Sequence, residues 1–210
     1  RREGEHNFRM EDIIAKINEV GEELALVLIG GINYYTGQVL DMATITKAGH
    51  DVGAYVGWDL AHAAGNIKLE LHNWGADFAA WCSYKYMNAG PGSASGIFVH
   101  EKHHNSNLPR FAGWWGHNKE RRFLMEPTFD PVKGAEGWQI SNLPILSLAP
   151  YLASAYMFDE VGMDALIEKR DKITSYLEFI LKDIAAQVGG DFEIITPSEP
   201  EQRASQLSIL

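Results

Sequence analysis

The sequence is nearly devoid of cysteine, with Cys82 alone among 210 residues. One thiol cannot form a disulfide within the chain, which excludes a small fold held together by disulfides. Structural disulfides belong to oxidising compartments, so this scarcity fits a reducing one. We therefore expect a cytoplasmic protein.

Long hydrophobic runs and an excess of basic charge are also missing. No segment approaches the roughly 20 apolar residues that cross a bilayer, and residues 1–6 lack the apolar stretch of a secretory signal. The chain has 18 Lys and Arg against 28 Asp and Glu, a formal charge of −10. Without a basic stripe, nucleic acids and anionic membranes are poor partners.

The apolar pattern that is present predicts alternating helices and strands. Helical spacing covers residues 10–23, and residues 41–48 can form a short helix. Residues 24–29 are apolar without interruption, as in a buried parallel strand. Further strands are predicted at 55–59, 77–83 and 96–100. This alternation indicates an α/β fold with a mostly parallel sheet.

The sequence becomes rich in helix-forming residues from about residue 145. Two long helices are predicted at 145–161 and 163–188, followed by a strand at 192–195 that begins another layer. The last residues, 206–210, read as a strand without a partner, and no methionine begins the chain. We expect a piece of a longer protein, in which 1–150 is part of a large domain and 151–210 begins a small one.

Two residues at strand ends carry the candidate chemistry. Asp59 ends one predicted strand and lies 26 positions before Lys85, which follows another; ligands of such sheets bind beyond the carboxyl ends of the strands. Taken singly, Asp59 is more often a turn residue and Lys85 a solvated charge. Together they suit pyridoxal phosphate (PLP), which needs a Schiff-base lysine and a carboxylate facing its pyridine nitrogen.

The segments around this pair each allow two interpretations. His62 can bind the cofactor or a neighbouring carboxylate, or serve a structural role. The glycine-rich residues 88–96 can present N–H groups to a phosphate or simply connect two strands, and Gly30 with Gly31 allows the same choice.

Indoles and histidines later in the chain are also ambiguous. Trp114 and its neighbour Trp115 can donate to a phosphate or pack as an aromatic pair. His100, His103 and His104 lie in a charged stretch without a matching ligand pattern, so a solvated loop is favoured and no metal is predicted.

Four segments, in this order and spacing, resemble kynureninase. They are residues 55–66, 81–90, 113–117 and 140–144, which read YVGWDLAHAAGN, WCSYKYMNAG, GWWGH and ISNLP. The resemblance runs from about residue 29 to residue 210. It implies the PLP-dependent transferase fold type I, of the aspartate-aminotransferase kind, and a homodimer with a shared active site.

The resemblance also implies a reaction and its place in metabolism. L-Kynurenine would be hydrolysed to anthranilate and L-alanine, and 3-hydroxykynurenine to 3-hydroxyanthranilate. These reactions belong to tryptophan catabolism and NAD biosynthesis.

It further implies roles for residues near the lysine. Lys85 would be the catalytic Schiff-base lysine, and Asp59 would face the pyridine nitrogen with His62 beside it. Tyr84 would contact the phosphate and act as a general acid or base. Gly30 stands where relatives often have a serine, so a hydroxyl contact to the cofactor would be missing there.

Later residues receive roles from the same resemblance. Trp114 would reach the phosphate from the partner subunit, and Asn142 would lie near cofactor and substrate. Ser141 and Asn142 together match a preference for the 3-hydroxylated substrate. The remaining phosphate cradle, a stacking aromatic and a carboxylate-binding arginine would lie outside this chain.

Two alternatives stay open at this point. A cysteine desulfurase-like or aminotransferase-like enzyme shares the Asp59 and Lys85 elements, but a desulfurase requires a mobile reactive cysteine. Cys82 is expected to be buried inside a strand, which disfavours that reading. The second alternative is an inactive fragment that only folds or dimerises.

Overall fold

The computed structural model describes residues 1–210. Its strands are β1 (Leu26–Gly30), β2 (Tyr55–Asp59), β3 (Phe78–Trp81) and β4 (Gly96–Val99). Its α-helices are α1 (Met10–Val20), α2 (Met42–Asp51), α3 (Ile145–Val161) and α4 (Met163–Val188). The α/β class is confirmed, and each predicted helix is present with shifts of a few residues at its ends.

The sheet has the strand order β1-β2-β3-β4. The first three strands are parallel, and β4 runs antiparallel to β3. Gly30 pairs with Asp59, and Asp59 pairs with Ala80. The carboxyl ends of β1, β2 and β3 therefore meet at one edge of the sheet, and the mostly parallel arrangement is confirmed.

The core lies around β2, whose central residues are buried. Trp58 is fully enclosed and its indole N–H donates to Thr46 Oγ1 at 3.0 Å, which satisfies its buried polar group. Gly57 pairs with Phe78 across β2 and β3. The Phe78 ring covers Gly57 so closely that a Cβ atom there would overlap the ring. The close approach of β3 thus depends on a residue without a side chain.

The end of the chain differs from the prediction. Residues 192–195 form no extended strand, because their only bridge joins Ile194 to Ile209. The terminal residues do have a partner: the Ile195 N–H donates to the Ser208 carbonyl at 3.0 Å and the Leu210 N–H to the Glu193 carbonyl at 2.9 Å. The expectation of an unpaired terminal strand was wrong, because a local antiparallel contact satisfies this backbone.

Residues near 205 return to the first half of the chain. Gln38 forms an isolated bridge with Arg203, and the Ser205 hydroxyl donates to Asn66 Oδ1 at 2.7 Å. The division at residue 150 stays a prediction. None of the helices has the length and apolar character needed to cross a membrane.

Candidate active site

A cavity of about 610 Å³ opens beyond the carboxyl ends of β1 and β2. Its lining includes Gly30, Asp59, His62 and Lys85. These four come from three separate stretches of sequence, which the parallel strands bring to one edge. The structure thus places four of the predicted cofactor residues around one space, whereas the exposed Tyr84 is not part of the lining.

Asp59 is the last residue of β2 and is exposed at the cavity. Its Oδ1 accepts the N–H of Ala61 at 2.8 Å, the contact of an Asx turn. The carboxylate is therefore held by the turn that it begins and forms no salt bridge. This geometry fits both interpretations of Asp59, as a turn residue and as a charged group that binds a ligand.

Lys85 lies in the connection between β3 and β4. Its carbonyl accepts the N–H of Asn88 at 3.0 Å, which closes a turn around it. Its Nζ lies 5.7 Å from the ring centroid of Tyr84 and has no carboxylate partner. A half-buried lysine amine without an ion-pair partner is available to a ligand.

His62 stands between two tyrosines. Its ring centroid is 6.4 Å from that of Tyr34 and 6.1 Å from that of Tyr86. Burial, and then the positive charge of Lys85, lower the pKa of His62, while Asp59 raises it less. The imidazole is therefore neutral at pH 7. Its Nδ1 is buried without a hydrogen-bond partner, an unmet polar atom beside the cavity.

Tyr84 and Cys82 flank the lysine on its amino side. The neighbouring Cys82 side chain, mainly through hydrogen bonding, raises the pKa of the exposed Tyr84 phenol. Tyr84 is thus protonated at neutral pH and suited to donate. Cys82 follows β3 and is partly exposed, so the expectation of a cysteine buried inside a strand was wrong. The strand ends at Trp81, because the chain turns there toward Lys85.

Trp114, Ser141 and Asn142 do not line the cavity. Trp114 is half exposed and packs edge-on against Phe123 at 5.4 Å between ring centroids. The Ser141 hydroxyl contacts Asn142 Oδ1 at 3.2 Å on the surface. The two segments lie side by side, since the Trp115 N–H points to the Ile140 carbonyl at 3.4 Å. The ligand roles of all three residues stay predictions.

Sequence reasoning missed a buried charge network at the opposite edge of the sheet. Asp77 is 3% exposed and receives Lys102 and His103 at 2.7 Å and His50 at 2.9 Å. The favoured solvated loop was therefore wrong for His103, which is drawn inward by the carboxylate. No spacing rule would find this pairing, because His50 lies 27 positions from Asp77. The positions of Tyr34 and Tyr86 beside His62 were also missed, because no spacing rule links either tyrosine to that ring.

The family profile described as aminotransferase class-V matches residues 3–209. This chain belongs to the aminotransferase class-V family. Curated relatives named "Kynureninase" are similar along its entire length. The one from Flavobacterium johnsoniae is 78% identical over 210 residues and the one from Christiangramia forsetii is 70% identical, each covering 100% of this chain and 49% of the relative. The chain thus spans about half the length of these relatives.

Solved structures of two enzymes are similar to this chain in fold. The apo cysteine desulfurase from Thermococcus onnurineus NA1 has a TM-score of 0.67 at 17% identity, covering 100% of this chain and 49% of that one. The alanine–glyoxylate aminotransferase from Nostoc sp. has a TM-score of 0.66 at 18% identity, covering 96% and 50%. At these identities the likeness concerns the fold alone.

Proposed function

We propose that the polypeptide containing this chain is a PLP-dependent kynureninase, which hydrolyses L-kynurenine to anthranilate and L-alanine. The observation that carries the proposal is the convergence of Asp59, His62 and Lys85 on one cavity. Relatives 78%, 76% and 70% identical to the chain bear this enzyme name. Because the chain covers half of each, the activity is assigned to the longer polypeptide.

The residues around the cavity fit PLP. The unpaired amine of Lys85 can bond to its aldehyde, and the Asp59 carboxylate is free of ion pairs and can face a protonated pyridine nitrogen. The buried Nδ1 of His62 has no hydrogen-bond partner in the protein. A bound pyridine ring or its substituents would supply one. When bound, the cofactor supplies an electron sink for cleavage next to the amino-bearing carbon.

The side chains of this chain then have distinct tasks. Lys85 would hold the cofactor covalently, and its amine would move a proton at the substrate Cα. The neutral ring of His62 packs beside the cofactor without adding a second positive charge to that of Lys85. Tyr84, protonated at neutral pH, donates to the phosphate or to the substrate carbonyl oxygen.

The finer features of the proposal rest on the resemblance to kynureninases. The enzyme acts also on 3-hydroxykynurenine, with Ser141 and Asn142 contacting the aryl ring. It is a homodimer in which Trp114 completes the partner's phosphate site, a role that fits its exposure and its absence from the cavity lining of this chain. It works in the cytoplasm, in tryptophan catabolism and NAD biosynthesis.

A first experiment locates the covalent bond. The full-length polypeptide is mixed with PLP and reduced with borohydride, and the labelled peptide is mapped by mass spectrometry. We expect the label on Lys85 and none after Lys85→Ala. Lys16→Ala, which alters an exposed lysine paired with Glu19, serves as the matched control and keeps full labelling. A label on any other lysine contradicts the proposal.

A second experiment tests the reaction itself. Anthranilate released from L-kynurenine is followed by its fluorescence, and Lys85→Ala is expected to lower kcat by at least about 10³-fold. Release of sulfide from cysteine is measured in parallel. Sulfide release without anthranilate would favour a cysteine desulfurase, an alternative that the names of the highly identical relatives do not favour.

A further inference from the structure

The turn that carries Lys85 is tied to helix α3 by one buried hydroxyl. Ser154 lies within α3 and is 2% exposed. Its Oγ donates to the carbonyl oxygen of Met87 at 2.5 Å, although the two residues are 67 positions apart. This contact therefore depends on the packing of α3 against the turn and not on local sequence.

The direction of this hydrogen bond is unusual for a hydroxyl in a helix. Such hydroxyls commonly return to a carbonyl three or four residues earlier. Ser147 does so with Pro144 at 3.0 Å, and Thr174 with Arg170 at 2.8 Å. Ser154 instead reaches a different element. A buried serine is costly unless its hydroxyl is bonded, and this contact satisfies it.

The turn is closed by its own hydrogen bonds. The Asn88 N–H donates to the Lys85 carbonyl and the Ala89 N–H to the Ser83 carbonyl, both at 3.0 Å. The buried Ser83 hydroxyl donates to the Ala94 carbonyl at 2.5 Å. These bonds set the shape of the turn but leave its position to contacts with neighbouring elements.

Two elements hold the turn from outside. Gly65, just beyond His62, approaches so closely that a Cβ atom there would lie 2.8 Å from the carbonyl oxygen of Tyr86. The Ser154 hydroxyl holds the next residue, Met87. Lys85 therefore lies in a turn fixed between the segment that carries His62 and helix α3.

We propose that Ser154 is a positioning residue, which holds the turn so that the Lys85 amine meets the cavity beside Asp59 and His62. The expected effect on PLP binding rests on the proposed function. The expected effect on the position of the turn does not. Without the hydroxyl, the Met87 carbonyl loses a bond and the turn shifts outward, which exposes Lys85 and weakens its hold on PLP.

The test compares Ser154→Ala with Ser147→Ala, a matched control on the same helix whose hydroxyl bonds locally. The full-length polypeptide without cofactor is trace-labelled with acetic anhydride, and the labelling rates of Lys85 and Lys102 are read by mass spectrometry. We expect the ratio of the Lys85 rate to the Lys102 rate to rise about threefold in Ser154→Ala and to stay constant in Ser147→Ala. A general loss of stability would raise both rates together and leave the ratio unchanged.

A second measurement reports the consequence for the cofactor. The PLP concentration that gives half-maximal borohydride labelling of Lys85 is expected to rise about fivefold in Ser154→Ala, the effect of losing one hydrogen bond. An unchanged acetylation ratio overturns the inference. If the unaltered protein never traps PLP on Lys85, the proposed function fails, while the acetylation ratio still decides the role of Ser154.

Discussion

His62 lies between charges of opposite sign, and its titration reports the geometry of the site without any cofactor. The charge of Lys85 lowers the pKa of His62 and that of Asp59 raises it. Lys85→Met is therefore expected to raise the His62 pKa, and Asp59→Asn to lower it.

The measurement is an NMR titration of the His62 ring protons in each variant. The other histidines provide internal controls, since neither substitution changes the charges next to them. Shifts of the same sign in the two variants would show that Lys85 and Asp59 do not both lie near this ring.

The close contact between β2 and β3 depends on the absence of a side chain at one position. A Cβ atom at Gly57 would overlap the ring of Phe78, which is held in place by strand pairing. Gly57→Ala is expected to lower the free energy of unfolding by about 1–3 kcal/mol, because the ring or the strand must move. Urea denaturation measures the change.

A matched glycine separates overlap from the general effect of adding a methyl group. At Gly190, past the end of α4, a Cβ atom would meet only Val188 at an ordinary 3.5 Å. Gly190→Ala is expected to alter stability by less than about 0.5 kcal/mol. Equal losses from the two substitutions would contradict this account of the β2–β3 contact.

The helices, the four strands of the sheet and the placement of Asp59 and Lys85 at one cavity were predictable from sequence, because apolar periodicity and strand ends are local features. The bridge between Ile194 and Ile209 was not, since a short segment pairs only when folding brings its partner close. The burial of His103 depends on Asp77, which no periodicity links to it. Sequence pattern thus identifies the elements but not the contacts made between them.

At the scale of the whole molecule, Asp77 links the folded state to pH. Burial by itself raises the pKa of Asp77, but hydrogen bonds from Lys102, the Val56 N–H, His50 and His103 outweigh it and hold this pKa far below its usual range. A carboxyl whose pKa is depressed by folding stabilises the fold above its unfolded pKa of about 3.9. That stabilisation is lost progressively as the pH falls below this value toward the folded pKa.

Asp77→Asn is therefore expected to cost about 1–3 kcal/mol at pH 7, because it removes the carboxylate that accepts from Lys102, His50 and His103. The difference from the unaltered protein should shrink below about pH 4. Urea denaturation across pH measures both effects. Asp51→Asn is the control, since Asp51 forms only an exposed pair with Lys47 and should cost less than about 1 kcal/mol. A difference that persists undiminished at low pH would argue against the ionised Asp77.

The enclosure of Trp58 has an optical consequence. Its indole is shielded from water and adjoins Asp59 in the sequence, whereas Trp114 and Trp115 are 44% and 41% exposed. A shielded indole emits at shorter wavelength than a hydrated one, and Trp58 is the one buried indole among six, so its emission lies at the blue edge of the spectrum. A chromophore held at Lys85 would accept this excitation energy. The molecule thus contains its own fluorescent reporter, one residue from the carboxylate at the edge of the cavity.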